Sequence, residues 1–183
     1  MDVKTGSGYG VATRFLHWLV LILIAAQYAI AWAMPDVGPD TQPIGLIAWH
    51  ISLGTVILLV MVVRVLWRLS HPAPPVPDSL RPWQGALSRL VHVLLYATLV
   101  LLPLMGWGYA SARGWEVGLT ANFHLPGLFK NNSHLGLSLG DIHAVTATIL
   151  LVLIGLHFAA ALYHRFILND HTLARMLPRR RHF

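Results

Sequence analysis

The chain has 183 residues, 56% of them apolar and 11% charged, with no cysteine and a formal net charge of +6. A soluble domain carries about 25% charged residues, so this sequence cannot cover a water-facing surface in the usual way. The missing cysteine excludes disulfides, thiolate metal sites, iron–sulfur clusters and covalently attached haem.

Four apolar segments are each long enough for a hydrocarbon core of about 30 Å, which needs about 20 helical residues. The charges lie between these segments or close to their ends, as a bilayer demands. The first segment covers about residues 13–34. It ends in Ala31-Trp32-Ala33, which resembles a signal-peptidase site. A signal peptide's apolar core runs only about 7–15 residues, and this longer segment also contains His17. It is read as a retained helix. The second segment covers about residues 44–66 and leads into a proline-rich connector at about 71–77. That composition predicts an extended, semi-rigid link. The third covers about residues 86–110 with Pro103 inside it, and the fourth about residues 139–167. The longest connection, about residues 111–138, carries Trp115, Phe123, Pro126, Leu128 and Phe129. Part of it is expected on the membrane surface. No linker divides the chain, so residues 1–183 form one all-α integral membrane domain, a four-helix transmembrane bundle.

Orientation follows from the basic residues. Lys4, Arg14, Arg64, Arg68, Arg81, Arg89, Arg165, Arg175, Arg179, Arg180 and Arg181 fall on one side; only Arg113 and Lys130 fall on the other. The positive-inside rule puts both termini in the cytoplasm. This pattern of anchoring, and of contact with lipid, speaks against nucleic acid as the reason for the positive charge.

There are eleven histidines. An ionisable side chain inside a span is a functional hypothesis by default. His17, His50, His143 and His157 lie within the segments, and His92 and His164 lie near their cytoplasmic ends. His71, His124, His134, His171 and His182 fall in connections or the tail and read as solvated or interfacial. On the fourth helix, His143 and His157 are separated by about 21 Å along the axis and point to nearly the same face. That spacing suits two haems stacked across the bilayer. The direction of each helix matches His50 with His143 near the outer surface, and His17 with a histidine in the cytoplasmic half of the fourth helix. His157 and His164 both qualify on depth. His164 lies about 31 Å from His143 along the axis, too far for good exchange between haems, so His157 is preferred. Gly54, Ala147 and Ala161 each lie four residues after a histidine, on its face, and would let a flat ring approach the backbone. A metal-ion transporter would instead gather histidine with Asp or Glu around one midplane site, and here the acidic residues lie outside the spans, apart from Asp141 at a helix end.

Several stretches resemble the bacterial cytochrome b561 family. They are Arg14-Phe15-Leu16-His17-Trp18, Trp49-His50-Ile51-Ser52-Leu53-Gly54, Leu90-Val91-His92-Val93-Leu94-Leu95-Tyr96, Gly155-Leu156-His157, and the ending Asp170-His171-Thr172-Leu173-Ala174-Arg175-Met176-Leu177-Pro178. The resemblance runs in order over almost the whole chain. It implies two haem b groups between the helices, each with two histidine ligands: His17 with His157, and His50 with His143. It further implies an oxidoreductase that takes electrons from superoxide at the outer face and gives them to ubiquinone. With both axial positions filled, iron passes electrons without binding oxygen.

At the cytoplasmic interface, Arg14, Arg68, Arg81 and His92 are candidate contacts for haem propionates, and His164 is a candidate on the quinone side. An anionic donor is drawn to positive charge, yet the outer side offers only Arg113 and Lys130 against Asp36, Asp40, Glu116 and Asp141. Two other readings follow: a haem subunit linking the quinone pool to a partner protein, and a helical transporter or scaffold without haem.

Overall fold

The structure, a computed structural model, describes residues 9–72, 82–120, 123–170 and 173–177. Four long helices dominate: α1 (Val11–Ala33), α2 (Leu46–Ser70), α3 (Pro82–Ala112) and α4 (His134–Phe166). All four are long and apolar enough to cross a membrane. The protein is a multi-pass four-helix membrane bundle. Lys4, Arg81, His171, Arg179, Arg180, Arg181 and His182 lie outside the described residues.

Each helix overruns part of the stretch expected from hydropathy. Helix α3 starts at Pro82, where a missing N–H at the first helical position costs nothing. Helix α4 starts at His134, behind a Ser133 cap whose hydroxyl accepts from Gly136 N. Hydropathy marks only the part of a helix in hydrocarbon, while the helix itself continues until a cap or a turn stops it. At 33 residues, α4 is about 50 Å long and outreaches the hydrocarbon core. Gly45 adopts φ 58, a left-handed turn ahead of α2 that suits glycine. Within α3, Pro103 leaves the Leu99 carbonyl without its helical donor.

The outer connection contains a short antiparallel hairpin, β1 (Val117–Thr120) and β2 (Phe123–Leu125), with Val117 opposite Leu125. Val117 is buried, whereas Phe123 and Leu128 are exposed. Phe129 turns inward instead of lying on the surface. Its ring sits 3.0 Å from where a side chain on Gly108 would begin, and 3.1 Å from the same point on Gly136. The expectation of a surface-lying loop therefore holds only for some of its apolar residues.

Arg113 ties this region together. It donates to the carbonyls of Gly38 at 2.7 Å and Pro39 at 2.9 Å, and to Tyr109 Oη at 3.2 Å. Its guanidinium lies 4.4 Å from the centre of the Trp115 ring. Replacing it removes charge-assisted hydrogen bonds to the half-buried Gly38 and exposed Pro39 carbonyls, a loss of about 1–3 kcal/mol. Arg113→Ala should lower the thermal midpoint of the detergent-solubilised protein by several degrees. Arg113→Lys should recover little of it, because an ammonium cannot reproduce the planar fork.

The apolar core is a thin central layer of Val20, Ile24, Ile57, Met61, Leu99 and Leu150. Helices adjacent in sequence pack on one another. Among the described residues, no Cα of α4 comes within 8 Å of one in α1 or α2. Three contacts that involve side chains cross that separation. Tyr28 Oη donates to Ala147 O at 2.7 Å, and the histidines meet there.

Candidate functional site: two tiers of paired histidines

Near the end where α2 and α4 begin, the rings of His50 on α2 and His143 on α4 face each other with centres 6.0 Å apart, and this is called the outer tier. Near the end where α1 begins and α4 finishes, the rings of His17 on α1 and His157 on α4 are 6.3 Å apart, and this is the inner tier. Both pairs span the separation between α4 and its two partners. Leu150, midway between His143 and His157 in α4, is buried in the layer between the tiers. A metal held about 2 Å from each of two imidazole nitrogens places the ring centres about 6 Å apart. Both tiers fit one iron per pair, with a flat macrocycle between helices whose backbones stay apart. Among the described residues, no three His, Asp or Glu side chains gather as a metal-ion site.

The surroundings of each histidine differ. His143 Nδ1 lies 2.9 Å from Leu102 O, so this nitrogen carries the proton and the other keeps its lone pair. Gly106 makes this possible, since a side chain there would begin 3.1 Å from His143 Cε1. His50 Nδ1 is buried and has no partner among the described residues. His17 Nδ1 lies 3.2 Å from Arg64 Nη2. Arg64 also donates to Leu16 O at 3.2 Å and Tyr96 Oη at 3.1 Å.

The remaining sequence candidates divide. The His92 ring centre is 5.2 Å from that of His157, so His92 belongs to the inner tier's surroundings. Its Nδ1 lies 2.6 Å from Ser88 O. Arg14 donates to Leu177 O at 2.7 Å, and the neighbouring Trp18 donates to Met176 O at 3.0 Å. These two residues dock the C-terminal segment on α1. Arg68 makes no hydrogen bond or ion pair among the described residues. His164 is not in a tier. Its Nδ1 lies 2.6 Å from Asp170 Oδ2, and Asp170 N donates back to His164 O, closing the end of α4. Of the connection histidines, His71 stacks on Trp67 with ring centres 3.8 Å apart, and His124 lies 3.6 Å from Glu116.

Sequence reading passed over two residues beside the tiers. Arg64 counted only towards topology, and Gln27 went unnoticed. Both are polar groups inside apolar runs, and that signal was available for each.

Four membrane-crossing helices with histidines paired between them define the class: an integral membrane haem b protein that carries electrons. The sequence profile of prokaryotic cytochrome b561 matches residues 8–179, and the chain belongs to that family. It is 32% identical to a probable superoxide oxidase of Yersinia pestis, over 91% of this chain and 93% of that protein. It is also 30% identical to cytochrome b561 homolog 1 of Escherichia coli, over 91% of this chain and 95% of the other. A cytochrome b562 of Cereibacter sphaeroides is 24% identical over 93% of this chain and 95% of the other.

Proposed function

We propose that this single-domain chain, residues 1–183, holds two haem b groups and carries electrons from superoxide at the outer face of a bacterial inner membrane to ubiquinone. The observation that carries the reading is the pair of imidazole tiers, 6.0 and 6.3 Å between ring centres, on helices that otherwise stand apart. His50 and His143 hold the outer group, and His17 and His157 hold the inner one. Haem b supplies one-electron chemistry when bound. Each histidine pair would supply both protein ligands to its haem, so the chain would favour electron transfer over dioxygen binding.

The balance is simple. Two superoxide anions each give up one electron and leave as dioxygen. Ubiquinone takes the two electrons with two protons from the cytoplasmic side. The cationic side has both termini and the residues suited to anionic groups: Arg14, Arg68, His92 and, beside His17, Arg64. His164, set by Asp170, stands on the quinone side. The probable superoxide oxidase of Yersinia pestis supports the choice of donor.

Purified protein supplied with ubiquinone and a superoxide source should form ubiquinol without any partner protein. No ubiquinol under those conditions sinks the superoxide reading. Salt sharpens the test. Asp36, Asp40, Glu116 and Asp141 are exposed on the outer side, and Arg113 is committed to backbone carbonyls, which leaves Lys130 as the exposed lysine or arginine there. Such a face does not attract an anion. Added salt should therefore leave the superoxide rate unchanged or raise it. This same charge balance favours a second reading, a haem subunit that exchanges electrons between the quinone pool and a partner protein. Ubiquinol oxidation only on adding a membrane fraction would support that one.

A further inference from the structure

Gln27 is a polar side chain inside α1, at the level of the outer tier. Its Nε2 donates to the backbone oxygen of His50 at 3.0 Å. That bond fixes which end of the amide is nitrogen, because only the nitrogen can donate to a carbonyl. The other end, Oε1, is therefore an acceptor. It is buried and has no partner among the described residues. The buried Nδ1 of His50 has none either.

An unused acceptor thus sits on a residue already bonded to His50. His50, in the tautomer a ligand needs, has an unused donor. His143, the facing histidine, already has its Nδ1 held by Leu102 O. Histidines that ligate a metal nearly always donate the second ring N–H to such an acceptor, which fixes the tautomer and raises ligand basicity.

We propose that Gln27 is a positioning residue for the outer haem, with its Oε1 accepting the His50 Nδ1–H and holding the ring with Nε2 towards the iron. The proposal rests on the di-haem reading above. A more basic imidazole favours ferric over ferrous iron, so Gln27 holds the outer haem's potential below the value an unsupported His50 would set.

The test uses the haem-loaded protein as parent, Gln27→Leu and Gln27→Glu, with haem content, a redox titration of both haems and the electron paramagnetic resonance of the ferric state. His50→Ala identifies which signal is the outer haem. Gln27→Leu should weaken retention of that haem by about 10–100-fold and raise its potential. Gln27→Glu should retain it, lower its potential and shift its g-values towards those of an anionic imidazole. The inner haem should not change.

Unaltered outer-haem g-values in Gln27→Glu overturn the proposal, even where the potential falls, because a carboxylate that is merely nearby would lower the potential alone. This variant decides the matter where Gln27→Leu does not assemble. A parent in which His50→Ala removes no haem sinks the di-haem reading instead, and the inference with it.

Discussion

His50→Ala and His143→Ala should each cost the protein the same one of its two haems, and His17→Ala and His157→Ala should each cost it the other. The expectation follows from the pairing of rings across the separation between α4 and its partners. Removing one imidazole halves the axial set at one tier and leaves the other tier intact, since the buried layer around Met61 and Leu150 lies between them. Haem quantitation, with reduced-minus-oxidised absorption spectra of the purified variants, reads the result. The parent should hold two haems per chain and each variant one. Quinone reduction should fall to background in all four, because either loss breaks the path across the membrane. His164→Ala provides the contrast. His164 pairs with Asp170 outside the tiers, so the variant should keep both haems. A parent with one haem, or a haem lost from His164→Ala but not from His157→Ala, would overturn the tier assignment.

Gly136→Ala should destabilise the bundle although it adds a single methyl group. Helices α3 and α4 approach closely at their outer ends through Gly108, Gly136 and Gly140. A side chain on Gly136 would run into the Ala112 methyl and stand 3.1 Å from the Phe129 ring. Ala112 has no flexible end to swing away, so backbone must move. Overpacking of this kind costs about 1–3 kcal/mol, which for a chain of this size lowers the melting midpoint by about 2–4 °C per kcal/mol. Gly140→Ala meets the Tyr109 ring at 2.8 Å and should be costly as well. Gly155→Ala meets nothing within 4 Å and should leave the midpoint near the parent's. Loss of haem absorbance on heating in detergent measures all three. Equal midpoints for Gly136→Ala and Gly155→Ala would show that the close approach is not maintained in the protein.

Sequence counts alone misjudge which charges are free to act on a ligand. Arg113 adds to the outer positive charge as a residue type. In the fold its guanidinium is consumed by carbonyls of the α1–α2 connection and by aromatic rings. The same distinction separates the arginines at the end where α1 begins and α2 finishes. Arg64 stands beside His17, Arg14 fastens the C-terminal segment, and Arg68 makes no hydrogen bond or ion pair among the described residues.

Much of this protein was legible in the sequence by itself. Four spans followed from runs of about 20 apolar residues, because a helix of that length satisfies its own backbone polar groups across the hydrocarbon. The matched depths of His17 with His157 and of His50 with His143 followed from the fixed rise of a helix and from alternating direction. These are properties of single helices, and periodicity reports them. Tertiary structure decided what depends on rotation and neighbours. It separated His157 from His164 by placing the former opposite His17 and the latter against Asp170. It turned Arg113 and Phe129 inward and set Gln27 against His50. Hydropathy carries depth along the membrane normal, but not which face of a helix meets which partner. That facing is set by packing, here by glycines that let α3 and α4 close together while α4 stands clear of α1 and α2.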